Sequence, residues 1–233
     1  MFGVCLLTYN RLEYAQRALS SLSKNGNLAG APLTEHNDVL LVIADDGSPS
    51  TYRDALEDHA RYLGWRNIET TNSRRGGYGK NLNLATQVLH ASCDAVLMLE
   101  DDWELSRSVD FEPLVKLVLQ EWNGVNIGCV RLGYLGFTQS LFGDLIIANN
   151  DIYLLFDPAS AEPHVFTGHP RVESVKFQRH VGVWPEGHSP GETEMIVANY
   201  SESRHGVVWP LNLVKPSGDL FVHIGTIRST EVG

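Results

Sequence analysis

The sequence predicts an α/β fold in which a mostly parallel sheet is flanked by helices and is followed by a mixed or antiparallel C-terminal part. The chain has 233 residues, 43% of them hydrophobic, which is enough for one sizeable core. Short apolar runs without polar alternation occur in the first half, and such runs are typical of strands buried on both faces of a sheet. Helical patterns separate these runs, so we expect right-handed crossover connections.

Each element of the first half has its own signal. Three apolar runs predict parallel strands, namely FGVCLL (2–7), DVLLVIA (38–44) and DAVLML (94–99). Apolar residues spaced three or four apart predict helices at 11–24, 51–63, 78–91 and 110–122. Ser50 is expected to cap the second of these helices.

The regular alternation ends near residue 125. Three segments separated by Gly, Asn and Pro predict strands of a mixed or antiparallel region, namely NIGCVRL (126–132), GDLIIA (143–148) and DIYLLF (151–156). Helical patterns at 171–180 and 193–203 flank the segment PEGHSPGE (185–192), which is expected to be a functional loop. The chain is expected to form a single domain, residues 1–233.

Charge and cysteine content restrict the class of protein. With 28 acidic and 18 basic residues the formal net charge is −10, which disfavours, without excluding, binding to nucleic acid or to an anionic membrane surface. The three cysteines are odd in number and Cys5 and Cys129 lie in apolar runs, so they are expected to be reduced thiols in a core. No apolar stretch approaches the roughly 20 residues that span a bilayer. A cytoplasmic location is therefore expected.

Polar residues follow the three apolar runs directly, and ligands of open parallel sheets bind beyond the carboxyl ends of the strands. These exit residues are Thr8, Tyr9 and Asn10 after the first run, Asp45 and Asp46 after the second, and Glu100, Asp101 and Asp102 after the third. Carboxylates that converge on one edge repel each other unless a cation compensates them, so a Mg²⁺ or Mn²⁺ ion that holds substrate phosphates is expected. The alternative is an acidic loop beside a helix N-terminus.

The segment NSRRGGYGKN (72–81) places Arg74, Arg75 and Lys80 around three glycines in an otherwise acidic chain. Glycines allow backbone N–H groups to approach an anion, and arginine side chains fit phosphate oxygens, so this turn can bind a diphosphate. The alternative is a solvated turn before a helix. The segment is not a Walker loop, and no G-x-G-x-x-G follows the first strand.

Four segments, in this order and at these spacings, resemble the nucleotide-sugar-dependent glycosyltransferases of family 2, which have the GT-A fold: VCLLTYNR, LLVIADDGSPS, NSRRGGYGKNLNLA and VLMLEDDWEL. The last is similar to the metal-binding stretch of N-acetylglucosaminyltransferase I, in which the Asp-x-Asp motif takes the form Glu-Asp-Asp. The match covers residues 3–105 and, more loosely, 170–200. It implies a Rossmann-like GT-A domain with a nucleotide-sugar-binding half (1–105) and an acceptor-binding half (106–233).

The resemblance assigns the donor site to the three strand exits and the glycine-rich turn. The residues expected to bind the nucleotide sugar are Thr8, Tyr9, Asn10, Asp45, Asp46, Arg74, Arg75, Lys80, Asn81, Glu100 and Asp101. Thr8 and Tyr9 would line the base pocket, and Asp45 or Asp46 would bind the base and its ribose. The basic turn would approach the base and the diphosphate, and the first two carboxylates of the triplet would face the ribose and the sugar.

The same resemblance assigns a metal site and a catalytic base. Asp102 would bind Mn²⁺ or Mg²⁺ directly, and His223 on a late apolar strand would complete the metal shell, although a lone histidine there is more often structural. The chain reads Gly-Glu-Thr-Glu where the family usually has Gly-Glu-Asp. Glu192 is the first choice for the base and Glu194 the second, and the alternative for Glu192 is a carboxylate that favours a helix N-terminus.

The implied reaction is a metal-dependent, inverting transfer of a sugar from a nucleoside diphosphate sugar, with UDP the commonest nucleotide in the family, to an acceptor hydroxyl. The acceptor can be a glycan, a protein, a lipid or a modified nucleobase, and the charge and the lack of a basic amphipathic helix count against the last two. Two alternatives remain. One is a nucleotidyltransferase, and the other is a relative that binds a nucleotide sugar or glycan without turning it over.

Overall fold

The computed structural model describes residues 1–122, 124–133, 142–160, 165–211 and 220–225. Its α-helices are α1 (Leu12–Asn25), α2 (Ser50–Tyr62), α3 (Tyr78–Ser92), α4 (Glu112–Leu119), α5 (Val175–Val181) and α6 (Pro190–Asn199). Short 3₁₀ helices lie at Leu33–Glu35 and Ser201–Arg204.

The strands are β1 (Phe2–Thr8), β2 (Gly26–Leu28), β3 (Ala31–Pro32), β4 (Val39–Asp45), β5 (Asn67–Asn72), β6 (Ala95–Glu100), β7 (Trp103–Leu105), β8 (Val109–Asp110), β9 (Glu121–Trp122), β10 (Val125–Asn126), β11 (Cys129–Arg131), β12 (Gly143–Ala148), β13 (Asp151–Phe156), β14 (Arg171–Ser174), β15 (Val207–Pro210) and β16 (Phe221–His223).

Among the described residues, nine of these strands form one sheet in the order β12-β13-β15-β11-β14-β6-β1-β4-β5. Strands β6, β1, β4 and β5 run parallel to each other. Strand β14 then pairs antiparallel with both β6 and β11, and the hairpin β12–β13 forms the far edge. The predicted fold class is confirmed, because a parallel half wound with helices continues into a mixed half within one sheet.

Helices cover both faces of the sheet because successive side chains of each strand point to opposite sides. On β1, Leu6 packs into a core that also holds Leu19 of α1 and Leu56 of α2. The neighbouring residue Leu7 packs into a second core, with Leu82 of α3. Burial of apolar surface in these two layers fixes α1, α2 and α4 on one face and α3, α5 and α6 on the other.

Several local predictions need correction. Ser50 is the first residue of α2 and makes no capping hydrogen bond, because Pro49 occupies the N-cap position. Residues 171–180 are not one helix, since the first four pair with β6 as strand β14. Helix α4 is shorter than predicted and ends at Leu119. Strand β5 was not predicted because its polar sequence, NIETTN, carries one apolar residue.

Two composition-based expectations can be compared with the structure. The cysteines Cys5, Cys93 and Cys129 are all buried and free, as predicted. In the part of the chain that the structure describes, no helix combines the length and the apolar character needed to cross a membrane.

Candidate active site

The carboxyl ends of β1, β4 and β6 lie side by side. Thr8 is level with Asp45 of β4, and Leu7 is level with Glu100 of β6. A cavity of about 200 Å³ opens there. Its lining residues are Leu7, Thr8, Tyr9, Arg11, Asp46, Arg75, Gly77, Tyr78, Asn81, Glu100, His188 and Pro190. The structure therefore brings together residues of all three predicted exits and of the glycine-rich turn.

The two aspartates after β4 differ in their access to this cavity. Asp45 is fully buried and accepts hydrogen bonds from the backbone N–H groups of Gly47 and Ser48 and from Arg53. Its carboxylate therefore holds the turn together and does not reach the cavity. Asp46 is the member of the pair that lines the cavity.

Asp46 also organises the glycine-rich turn. Its Oδ1 accepts hydrogen bonds from the Ser73 hydroxyl and, at 3.0 Å, from the Gly77 N–H, while Arg75 Nη1 lies 3.4 Å from its Oδ2. Gly47 has φ = 93°, and a Cβ at this position would collide with the backbone of Arg75. The close contact between the two turns thus requires a glycine.

Arg75 lies over the ring of Tyr9, with 3.5 Å from its Cζ to the ring centroid. The two side chains form a cation–π pair at the mouth of the cavity. Arg74 is exposed and, with Lys80, is not among the cavity-lining residues. Asn10 also lies outside the lining, and its N–H donates to Ser48 Oγ at 3.0 Å.

Asn81 contributes mainly to the position of α3. Its Nδ2 donates to the carbonyl oxygen of Ala44 at 2.8 Å, which ties the first turn of α3 to the end of β4. Gly77, Tyr78 and Asn81 line the cavity, so the N-terminus of α3 borders it, and a helix N-terminus favours an anion.

The three carboxylates after β6 occupy three different environments. Asp101 is completely buried, and its Oδ2 accepts a hydrogen bond from the Thr8 hydroxyl at 2.8 Å. Its Oδ1 pairs with Arg11. Burial raises the pKa of Asp101 to about 6, although Arg11 opposes the shift. Asp101 therefore positions β1 and Arg11 and does not line the cavity.

Glu100 lines the cavity and accepts a hydrogen bond from the Tyr78 hydroxyl at 3.0 Å. Burial and the nearby carboxylate of Glu194 raise the pKa of Glu100 to about 8. Burial also raises the pKa of Tyr78. Two carboxyl groups and a phenol thus form one polar cluster around Gly168, in which Glu100 and Tyr78 line the cavity and Glu194 lies behind them.

Asp102 lies beside the cavity, between Arg11 and His223. Its Oδ2 is 2.8 Å from Arg11 Nη1 and 3.4 Å from His223 Nε2. Its Oδ1 is buried and has no hydrogen-bond partner among the described residues. Burial alone would raise the pKa of Asp102, but the hydrogen bond from His223 and the charge of Arg11 outweigh it and hold the pKa below its ordinary value.

Strand pairing delivers His223 to this position. In the β16–β7 pair His223 stands opposite Trp103, the residue that follows Asp102, and the two rings meet edge to face at 5.0 Å. Within the described ranges no three histidine, cysteine or carboxylate side chains surround a point that could hold a metal ion. The pair of Asp102 and His223, with the unpartnered Asp102 Oδ1, fits two ligands of a divalent ion.

The two candidate bases lie on different faces of α6. Glu192 is exposed, and its carboxylate accepts hydrogen bonds from the N–H and hydroxyl of Ser189 in a capping box. Glu194 points inward, and its Oε1 accepts a hydrogen bond from the Gly168 N–H at 2.6 Å. Burial raises the pKa of Glu194 above its ordinary value. Its Oε1 and that of Glu100 both border Gly168.

The loop 184–190 connects α6 to the donor side of the site. Asn83 of α3 accepts a hydrogen bond from the Trp184 N–H at 2.9 Å and donates to the Trp184 carbonyl at 3.0 Å. Gly79 of α3 contacts the Pro185 carbonyl so closely that no Cβ would fit. The loop thereby brings His188 to the cavity.

Sequence reasoning missed Arg11, Tyr78 and His188 as site residues. Arg11 directly follows the Thr-Tyr-Asn exit of β1, and Tyr78 stands inside the glycine-rich turn, so both carried a positional signal. His188 lies in the segment that was predicted to be a functional loop.

The sequence model of the family described as "Glycosyl transferase family 2" matches residues 3–141. Among curated proteins, none matches the sequence significantly. Solved structures with this fold include TarS of S. aureus (19% identity, TM-score 0.56, 89% of this chain and 34% of that one). They also include the mannosyltransferase PcManGT from Pyrobaculum calidifontis, in complex with GDP-Man and Mn²⁺ (14% identity, TM-score 0.54, 89% and 56%).

GalNAc-T7, solved with UDP, GalNAc and Mn²⁺, has the highest TM-score of the three structures named here, 0.60, at 14% identity and with 90% of this chain and 42% of that one covered. The chain thus spans between a third and somewhat more than half of the length of these structures. At these identities the structural likeness shows the GT-A fold, and the family match, which covers more than half of the chain, shows the family. The chain belongs to glycosyl transferase family 2.

Proposed function

We propose that the chain transfers a sugar from a nucleoside diphosphate sugar to an acceptor hydroxyl with inversion at the anomeric carbon, and that the reaction depends on Mn²⁺ or Mg²⁺. One observation carries this proposal. A single cavity is bordered by the Tyr9–Arg75 pair, by the N-terminus of α3 and by the Glu100 carboxyl group. The aromatic face suits a nucleotide base, and the helix N-terminus suits a diphosphate. The carboxyl group suits the hydroxyl groups of a sugar.

The donor would bind with its base against Tyr9. Arg75, which already lies over this ring, would then stack on the base or turn toward the diphosphate. The backbone N–H groups at the start of α3 would receive phosphate oxygens, and Lys80 on the first turn of α3 adds positive charge. UDP is the nucleotide we expect first, because it is the commonest in the resembling family.

Glu194 is the proposed catalytic base. It is the inward-facing carboxylate of α6, and the Gly168 N–H fixes its orientation. As the acceptor oxygen bonds to the anomeric carbon and the bond to the diphosphate oxygen breaks, the acceptor proton passes to Glu194. Glu192 is less suited to this role because its oxygens are held in the capping box.

Asp102 and His223 would hold the metal ion. Their proximity and the unpartnered Asp102 Oδ1 support this assignment. When bound, the metal would supply a Lewis acid for the leaving diphosphate. The complexes of similar folds with Mn²⁺ and nucleotides point in the same direction.

The acceptor half, residues 106–233 in this proposal, contributes α6 and the loop 184–190. The acceptor would approach between these elements and the donor sugar, and we propose a glycan, protein or lipid hydroxyl, or a hydroxyl on a modified nucleobase. The buried free cysteines fit a reducing compartment, so we propose a cytoplasmic reaction.

A nucleotide-sugar panel tests the function directly. Thermal shift with and without Mn²⁺ identifies the donor, since a ligand that binds only the folded state raises Tm. Release of the nucleoside diphosphate should then require Mn²⁺ and should fall by about 10²-fold or more in Asp102→Asn. Asp144→Asn, on the exposed edge strand β12, is the matched control. A donor that binds and is never turned over with any acceptor would indicate a binding protein.

A further inference from the structure

Arg11 lies where β1 leads into α1, and its guanidinium faces two carboxylates that are about ninety residues away in sequence. Nη2 pairs with Asp101 Oδ1, and Nη1 lies 2.8 Å from Asp102 Oδ2. The arginine side chain is 12% exposed, and the same residue lines the cavity. The planar guanidinium thus spans both aspartates from the cavity side.

This pairing is required electrostatically. Asp101 is completely buried, and a buried carboxylate needs a nearby positive charge or several donors. Arg11 supplies this charge without any bound ion. It also occupies Asp102 Oδ2, the oxygen that faces His223 Nε2 at 3.4 Å. Asp102 and His223 would therefore hold a divalent ion in the immediate neighbourhood of the Arg11 guanidinium.

We propose that Arg11 is a resident cation that competes with the divalent metal for Asp102. In the free protein Arg11 keeps the metal affinity low, because a divalent ion held by Asp102 would lie close to a fixed positive charge on the same carboxylate. This inference rests on the metal site of the proposed function. It adds a positioning residue whose charge sets when the metal binds.

The position of Arg11 on the cavity wall links metal binding to donor binding. A diphosphate in the cavity offers the guanidinium a second anionic partner and weakens its hold on Asp102. Metal and nucleotide then bind with positive coupling, and by linkage each raises the affinity for the other by the same factor. Direct bonds between metal and diphosphate would add to this coupling, so removal of Arg11 should reduce it and not abolish it.

The first experiment measures Mn²⁺ binding without nucleotide, by the electron paramagnetic resonance signal of free Mn²⁺. Arg11→Gln should bind Mn²⁺ on the order of tenfold more tightly than wild type. Arg17→Gln is the matched control, since it removes one positive charge from α1, the helix that begins directly after Arg11, and Arg17 pairs with Glu104 at 2.6 Å. Its Mn²⁺ affinity should equal that of wild type.

A second measurement repeats the titration with UDP present. The factor by which UDP raises the Mn²⁺ affinity should be smaller in Arg11→Gln than in wild type. Because Arg11→Gln leaves Asp101 uncompensated, its fold is checked by Tm, which Mn²⁺ should raise more than in wild type. If this variant does not fold, Arg11→Lys replaces it, since lysine keeps the charge and cannot contact both aspartates. Arg11→Lys should bind Mn²⁺ a few-fold more tightly than wild type.

Each outcome separates this inference from the proposed function. Unchanged Mn²⁺ affinity in both Arg11 variants, with binding lost in Asp102→Asn, would overturn the competition and leave the metal site intact. Mn²⁺ binding that persists in Asp102→Asn and in His223→Gln would show that these two residues do not form the metal site. Equal tightening in Arg17→Gln would show that only the net charge matters, and the specific role of Arg11 would be rejected.

Discussion

Strands β1, β4 and β6 bury apolar side chains along their length and carry polar groups only where they end. Strands β11 and β14 of the same sheet bury charged side chains within the strands, and Arg131, Arg171 and Glu173 are each no more than 2% exposed. In the parallel region Thr8 and Glu100 line a cavity, whereas in the antiparallel region Arg171 pairs with Glu173 inside the core. A change of charge should affect catalysis in the first region and stability in the second.

The buried charges of the antiparallel region belong to a hydrogen-bonded network. Arg171 Nε pairs with Glu173 at 2.6 Å, Gln178 donates to the other oxygen of Glu173 at 2.9 Å, and the Gln178 oxygen meets His90 Nε2 at 2.9 Å. This hydrogen-bonded network joins β14, α5 and α3 and ends at the partly exposed His90. Arg171 Nη2 is buried and has no hydrogen-bond partner among the described residues, so the ionic bond to Glu173 is the main compensation of this buried charge.

The largest expected effect separates the two carboxylates of α6. Glu194→Gln should lower kcat by about 10²- to 10⁴-fold, because it removes the base that takes the acceptor proton. Glu192→Gln should leave kcat near wild type and slightly destabilise α6. Because the pKa of Glu194 is raised and the base must be ionised, the wild-type rate should fall with decreasing pH at a midpoint above the ordinary 4.5 of glutamate. A larger loss in Glu192→Gln would reverse the assignment.

The next effect concerns the antiparallel region. Glu173→Gln should destabilise the protein by about 3–5 kcal/mol, because it leaves Arg171 buried without its ionic partner. Urea unfolding measures this loss, with Glu69→Gln on the exposed side of β5 as the control. Below the unfolding transition, kcat should change little. A variant of normal stability and low activity would show that this buried pair serves catalysis directly.

Tyr9 provides an intermediate effect in the parallel region. Tyr9→Ala should weaken binding of the nucleoside diphosphate about tenfold, because base stacking on an aromatic ring contributes roughly 1–3 kcal/mol. Isothermal titration measures the change, and Tyr62→Ala, at a residue of α2 that is 85% exposed, is the control. Unchanged affinity would place the base elsewhere.

The smallest effect concerns His90, the partly exposed end of the hydrogen-bonded network. Burial lowers the pKa of His90 below its ordinary 6.5, so the unfolded state takes up a proton first as the pH falls. The contribution of neutral His90 to stability is complete above pH 6.5 and is lost on acidification below it. His90→Gln should therefore lose less stability than wild type between pH 7 and pH 5.5, as measured by urea unfolding. Identical slopes would exclude His90 from this linkage.

The parallel strands of the sheet could be predicted from the sequence, whereas the antiparallel strand β14 could not. The strands at 2–7, 38–44 and 94–99 were predicted to within one residue at each end, because continuous apolar runs fix buried parallel strands. The meeting of Thr8, Asp46 and Glu100 follows from this register. Strand β14 could not be predicted, because its sequence RVES is stable in the core only through partners elsewhere in the chain.

The candidate site shows a similar limit. The sequence ranked Glu192 before Glu194 as the candidate base, and our proposal reverses this order, since a motif does not reveal which face of a helix points inward. The Glu192 carboxylate is held by its hydrogen bonds to Ser189 at the helix N-terminus. The burial of Thr193 and Val197 places Glu194 on the side of α6 that faces Gly168. The role of Arg11 depends on contacts across ninety residues, which no local pattern contains.

The contact between Gly79 and Pro185 has a consequence for how donor and acceptor sites communicate. The first turn of α3, which is proposed to receive the diphosphate, touches the backbone of the segment that leads into α6. A methyl group at position 79 would separate these surfaces and shift the proposed base relative to the leaving group, with every functional side chain still present. The spacing between the first turn of α3 and the segment that leads into α6 thus depends on a residue that has no side chain.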